Sequence, residues 1–273
     1  MTRCSSGALH HAGLAFDSIA EQYDDVFTRS LIGRAQRDAV WDVLRQTFSM
    51  GERVLELNCG TGEDALFLSR MGVSVVACDA SERMIDVAAR RMAIMSVGAP
   101  VQLEALPTER IGELVDRGPF DGALSNFSGL NCVADLSDTA QQLARIVKAG
   151  ARMVLVLSTR FCLWESMWYL AQAEPARAVR RWKGHVTASL GEASVEVFYP
   201  TMRDINRMFR PFFKLQSQKG IGVTVPPSYV EHLASKHPGV LKKLQVVDHA
   251  IASLPGCRSI GDHVLLVLER TEA

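Results

Sequence analysis

Between residues 53 and 158 short apolar runs take turns with amphipathic stretches. RVLELN (53–58), VSVVACD (73–79), VQLEA (101–105), FDGALSNF (120–127) and ARMVLVLS (151–158) have the length and apolar density of buried strands. GEDALFLSRMG (62–72), SERMIDVAARRMAIM (81–95) and LSDTAQQLARIVKAG (136–150) repeat their apolar residues at helical spacing. Strands of this kind alternating with helices predict a mostly parallel sheet covered on both faces. Ahead of them, within a helical stretch from Phe16 to Phe48, Ala39, Val40, Val43, Leu44 and Phe48 form one apolar stripe. After Ser158 the regularity stops. SVEVFYP (194–200), FFKLQSQKG (212–220) and DHVLLVLER (262–270) read as strands, TMRDINRMF (201–209) as a helix, and 226–254 as helices broken near Pro238. The expected architecture is one α/β domain with a Rossmann-like doubly wound sheet of about seven strands. Residues 1–50 form an N-terminal helical flank, 51–158 and 194–270 the core, and 159–193 and 222–256 insertions that make a lid.

Composition narrows the function classes. Lys plus Arg and Asp plus Glu both number 30 in the 273 residues, so the formal net charge is zero. That balance is not the footprint of a protein that neutralises many phosphates, and no nucleic-acid partner is expected. The run Arg177, Arg180, Arg181, Lys183 reads as a solvated helix face. The cysteines, Cys4, Cys59, Cys78, Cys132, Cys162 and Cys257, are scattered, with no CxxC pair and no Cys/His cluster at zinc spacing. No metal is expected, and a reducing, cytoplasmic setting is. The N-terminal stretch lacks the apolar core of a signal peptide, and no apolar run is long enough to cross a bilayer.

The chemistry gathers at the predicted carboxyl ends of the strands, where open α/β sheets bind their ligands. Gly60 and Gly62 follow the first strand and open a helix, so backbone N–H groups and the helix dipole face a ligand there. Asp79 closes the second strand, where a carboxylate can accept both hydroxyls of a ribose. Asn126-Phe127 closes the fourth. Read singly, the glycines are a turn, Asp79 a cap for the helix starting at Ser81, and Asn126 a turn residue. Read in order, they make a nucleoside site.

VLELNCGTGEDA, CDAS, FDGALSNF and IVKAGARMVLVLS together resemble the class I S-adenosylmethionine-dependent methyltransferases, in the small-molecule branch that includes quinone-biosynthesis enzymes. FDSIAEQYDDVF resembles the leading helix of that branch. The resemblance implies a last strand that runs antiparallel, S-adenosyl-L-methionine as cofactor, and in-line methyl transfer to a small acceptor, with oxygen or nitrogen as the favoured accepting atom. It implies that Glu56 lies near the methionyl amino group and that Gly60 and Gly62 line the methionyl and ribosyl part. Asp79 would hold the ribose diol, with Ala80 and Met84 beside the adenine and Glu104-Ala105 at its amino group. Asn126 and Phe127 would border the sulfonium, and Tyr23 would close over the carboxylate. Asn58 stands where the family usually has glycine, and asparagine tolerates such backbone angles better than most residues. Glu104 stands where aspartate is commoner.

Two other readings fit parts of the pattern. A nicotinamide-dependent oxidoreductase would use the same glycines and Asp79, and a catalytically inactive S-adenosylmethionine-binding protein would keep the site as a partner subunit. His185 and Glu165, both in the 159–193 insertion, are the weak candidates for a general base. Trp164 and Trp168, four residues apart, share a helix face and read as the insertion's own core.

Overall fold

The computed structural model describes residues 13–96, 98–191 and 193–272. A seven-stranded sheet runs in the order β3-β2-β1-β4-β5-β9-β8. Its parallel part is β1 (Arg53–Leu57), β2 (Ser74–Asp79), β3 (Val101–Ala105), β4 (Phe120–Ser125) and β5 (Val147–Leu157). The last strand, β9 (His263–Arg270), runs antiparallel and lies between β5 and β8 (Phe213–Ile221). The carboxyl ends of β5 and β8 and the start of β9 therefore meet at one sheet edge, the same edge as the ends of β1, β2 and β4.

Helices cover both faces because both faces of the strands are apolar. On one side α1 (Leu31–Thr47), α2 (Glu63–Arg70) and α3 (Glu82–Ile94) pack Val40, Leu44, Leu68 and Ile85 against Val54, Val75 and Val154. On the other, the 3-10 stretch Thr108–Arg117, α4 (Leu136–Ile146) and α6 (Met202–Phe209) bury Ile111, Leu143 and Phe209 against Leu55, Phe120 and Leu266. Caps mark the starts of several helices. Ser30 and Ser81 accept from the N–H groups of Gly33 and Met84, and Thr201 and Asp204 bond reciprocally before α6.

The later insertions have their own core. It joins α5 (Leu163–Ala171), α7 (Glu231–Lys236) and α8 (Pro238–Ile251) to the start of α1, with Trp168 against a cluster holding Ile32, Val225, Val230 and Leu241. Trp164 donates its indole N–H to the carbonyl of Thr224 (2.8 Å). Glu231 accepts from the N–H groups of Leu31 and Ile32 at the start of α1 (2.8 and 2.9 Å). Buried Asp248 accepts from the backbone of Gly222, Thr224 and Val225.

Two segments differ from the sequence expectation. Val147–Gly150, read as the end of a helix, already belongs to β5; the β4–β5 register shifts between Phe120 and Gly122, and the strand takes in a stretch whose pattern is not strand-like. The strand read at 194–200 is outside the main sheet: β7 (Ala193–Phe198) pairs only with β6 (His185–Leu190), as a hairpin through Gly191.

Candidate functional site

The glycine turn is held by the carboxylate at the end of the next strand. Gly60 N–H donates to Asp79 Oδ2 (2.8 Å) and Ser81 N–H to Asp79 Oδ1 (2.9 Å). Each oxygen keeps a lone pair free. Burial raises the Asp79 pKa against the lowering effect of the Ser81 and Gly60 N–H groups. Asn58, at φ 54°, holds the left-handed conformation expected of the residue it replaces, and its amide is anchored sideways to Thr108 (3.0 Å). Gly60 has open space where a side chain would point, whereas a Cβ on Gly62 would meet Ala88 Cβ at 2.9 Å. Gly60 is thus the glycine of the ligand side, and Gly62 serves the packing of α2 on α3.

Below the turn lies a buried polar floor. Asp64, in the first turn of α2, accepts from Arg37 and from Trp41 Nε1 (2.6 Å) on α1, and from Asn126 Nδ2 (2.9 Å) after β4. Asn126 Oδ1 in turn accepts the N–H of Phe127 (2.8 Å). Phe127 sits at φ 45°, a region that bulky residues avoid, so this backbone is held by its surroundings. Its ring meets Phe27 edge-on (centroids 4.8 Å), His263 edge-on (5.5 Å) and the Arg37 guanidinium (4.8 Å). Glu56 is 1% exposed, and its Oε2 is buried with no hydrogen-bond partner. Burial first, then Asp64 and Asp79 against Arg37, push its pKa well above the carboxylate range.

The N-terminal segment forms the outer wall. Asp17 accepts from Ser81, and Asp24 from Thr61 Oγ1 (2.7 Å) and Arg91. Burial acts to raise the Asp24 pKa, but the Thr61 and Arg91 contacts outweigh it and hold the carboxylate low. Tyr23 turns inward, and desolvation pushes its phenol up to about 12.

One cavity of about 190 Å³ collects most of the expected residues: Tyr23, Asn58, Gly60 and Asp79, then Ala80, Met84, Asn126 and Phe127. Glu56, on β1, is not among its walls. Gly62, Glu104 and Ala105 are not among its walls. Glu104 forms a partly exposed ion pair with Arg117. The two base candidates also fall elsewhere. Both oxygens of Glu165 are occupied by Arg180 and one also by Arg181, and His185 is exposed on the β6 hairpin strand beside Phe198. Arg181, expected on a solvated face, is buried between Glu165 and Asp262. Gly13, Phe16, Ser128, Gly129, Cys132 and Val197 line the cavity without having been foreseen. Burial pushes the Cys132 thiol up to about 12. His263 was also missed: it opens β9, is 9% exposed, has a buried Nδ1 without a hydrogen bond, and packs on Phe127. Sequence offered only its place at the start of the last strand. Among the described residues no group of His, Cys, Asp and Glu could hold a metal ion.

Gly62→Val should cost about 2–4 kcal/mol of stability, because it adds both positive-φ strain and overpacking against Ala88. Gly60→Ala should cost only about 1 kcal/mol, the strain alone. Urea denaturation of the two variants checks the order. Glu56→Gln should change stability with a definite pH sign. A raised carboxyl pKa favours the protonated fold, so wild type loses stability as pH rises above the ordinary carboxylate value, and the amide does not. The variant's melting temperature should gain on wild type as pH rises above the ordinary carboxylate range; a constant difference would mean that Glu56 is already compensated.

Residues 54–150 match a family model described as a methyltransferase domain. The chain is 31% identical over 140 residues to a demethylmenaquinone methyltransferase of Clavibacter sepedonicus, covering 51% of this chain and 55% of that protein. It is 27% identical over 159 residues to the ubiquinone/menaquinone biosynthesis C-methyltransferase UbiE of Geotalea uraniireducens, covering 56% of this chain and 66% of that one. The chain thus spans a little over half the length of the first of these curated relatives. Its fold is shared with an S-adenosylmethionine-dependent methyltransferase from Clostridium acetobutylicum (TM-score 0.58, 11% identity, 94% of this chain and 99% of that one). It is shared also with the [4+2]-cyclase SpnF (TM-score 0.63, 14% identity, 97% and 96%). The methyltransferase-domain match over residues 54–150, with the glycine turn, the clipped strand-end carboxylate and the antiparallel last strand, supports a class I S-adenosylmethionine-dependent methyltransferase.

Proposed function

We propose that the protein transfers a methyl group from S-adenosylmethionine to a small aromatic acceptor, at an electron-rich ring carbon. The observation that carries the reading is Asp79, a cavity-lining carboxylate clipped by two backbone donors, with the buried, unpartnered Glu56 on the neighbouring strand. Asp79 has lone pairs to spare, and Glu56 has an oxygen with no partner. A vicinal diol fits the first and a cationic amino group the second. When bound, the cofactor supplies a methyl group on a positively charged sulfur, which leaves without prior activation. The protein's part is then positioning, worth about 7–11 kcal/mol in favourable cases. Asp79 fixes the ribose, Glu56 and the Asp64 network orient the charged end, and the strained Phe127 ring defines the face where the acceptor lies. A carbon acceptor replaces the oxygen or nitrogen favoured from sequence, because a curated relative is a C-methyltransferase by name. No span-length apolar helix occurs among the described residues. A cytoplasmic setting is the reading that agrees with five unpaired cysteines there.

A ring carbon that gains a methyl group must lose a proton. His263 is the base we assign, in place of Glu165 and His185, because it lies behind Phe127 at the carboxyl edge of the sheet, with Asp262 at 3.7 Å from Nδ1. Burial lowers its pKa, with Asp262 opposing and Arg181 assisting, so the ring is neutral at physiological pH and free to take a proton.

Calorimetry should find S-adenosylhomocysteine bound and NADH not. Asp79→Ala should weaken that binding about ten- to a few-hundred-fold, from roughly 1.5–3 kcal/mol per hydrogen bond to a charged group, non-additively. A variant that melts earlier yet binds like wild type would leave Asp79 as a cap only. With a short-chain demethylmenaquinol as acceptor, wild-type turnover should fall on the acid side, below the ordinary imidazole range. His263→Asn should lose about 10²–10⁴-fold in kcat together with that acid limb, while S-adenosylhomocysteine affinity stays. Retention of the limb in the variant would assign it to another group.

A further inference from the structure

The two insertions form one body with an unusual surface. On α5, Leu163, Met167 and Leu170 recur at i, i+4 and i+7 and are 46%, 57% and 58% exposed. The opposite face of the same helix buries Glu165 and Tyr169. The helix is therefore inverted, polar inward and apolar outward. Next to it Phe161 and Trp182 stack edge to face (5.7 Å), each about half exposed. Tyr169 stacks on Tyr229 (5.7 Å), and Trp168 meets His232 (6.2 Å), which joins α5 to α7. On α7 and α8, Leu233, Val240 and Val246 are exposed as well.

Charge on this body is sorted by depth. Its carboxylates are consumed inside: Glu165 by Arg180 and Arg181, Glu231 by the start of α1, Asp248 by the 222–225 backbone. The partly exposed Glu174 is paired with Arg177. Exposed Lys183, Lys236, Lys242 and Lys243 remain, and no fully exposed carboxylate stands among the described residues of 161–183 or 229–258. In a chain with 30 charges of each sign, this face combines exposed apolar side chains with unbalanced cations. Apolar side chains amid unbalanced cations, with tryptophan among them, suit an interface of acyl chains under anionic headgroups. A soluble protein partner would more commonly meet a polar rim of both signs.

We infer that the outer face of α5, α7 and α8 docks on an anionic lipid surface. Both insertions leave the sheet at the carboxyl edge that holds the cavity, so docking turns the acceptor side of the site toward the membrane. The inference does not depend on which atom of the acceptor is methylated.

Co-sedimentation with vesicles tests it. The full chain should pellet with equimolar phosphatidylglycerol and phosphatidylcholine, and much less with phosphatidylcholine alone. Salt should release it, since exposed charges are screened beyond about 10 Å at 0.1 M. The double variant Met167→Glu, Leu170→Glu should lose at least about tenfold in vesicle binding, and so should Lys242→Glu, Lys243→Glu. Both should melt like wild type and keep S-adenosylhomocysteine affinity, which separates loss of docking from loss of the fold or of the methyl-donor site. Absence of binding to anionic vesicles, or equal binding by the variants, would overturn the inference. So would a wild-type dimer by light scattering that both double variants dissociate, since that would give the face to a second copy.

Discussion

Everything at the site leans on the buried carboxylate of Asp64. It receives Arg37 and Trp41 from α1 and Asn126 from the end of β4, while its own backbone starts α2. Three chain segments that are separate in sequence are thereby fixed around one group. Breaking such a buried pair from one side costs about 3–5 kcal/mol, because the abandoned charge cannot reach water. The network is not self-sufficient: Arg37 Nε and Glu56 Oε2 remain without partners. Both atoms are buried, so the floor keeps one unpartnered donor and one unpartnered carboxyl oxygen.

Phe127 depends on that network most directly. Its positive φ costs on the order of 1–3 kcal/mol and persists because Asn126 holds its N–H while Phe27, His263 and Arg37 enclose its ring. The same ring faces the cofactor cavity on one side and leads to His263 on the other. Strain, cavity wall and the buried His263 thus meet at one aromatic side chain, which also touches Arg37 of α1.

Much of this was legible in the sequence because it is local. Apolar blocks between glycine punctuation give β1 to β4 nearly to the residue, and Ser81 announces α3. What failed was pairing. No pattern in 147–150 says that Val147 bonds Phe120 across an irregularity. The β6–β7 hairpin carried a signal, period-two alternation around Gly191, masked by the weak apolarity of HVTASL. Among site residues, those whose role follows from strand ends were placed together. Glu165 was misjudged because a carboxylate's task is set by its cation, and Arg180 and Arg181 lie 15 and 16 residues away. His263 was missed because the ring it touches belongs to a residue far earlier in the chain.

The position of β9 constrains how the protein comes into being. It is threaded between β5 and β8, bonding both, yet the chain reaches it long after β5 is made. Until His263–Arg270 arrives, β5 presents the bare backbone of an apolar strand, and β8 has no neighbour in the sheet at all. Such an open edge is a template for pairing with other chains. Sheets closed by distant segments also fold slowly. The growing polypeptide therefore carries an open strand edge from the making of β5 until that of β9, and the strand that hides it also brings His263 to the sheet edge. Burial of that edge and the placing of His263 against Phe127 are a single event.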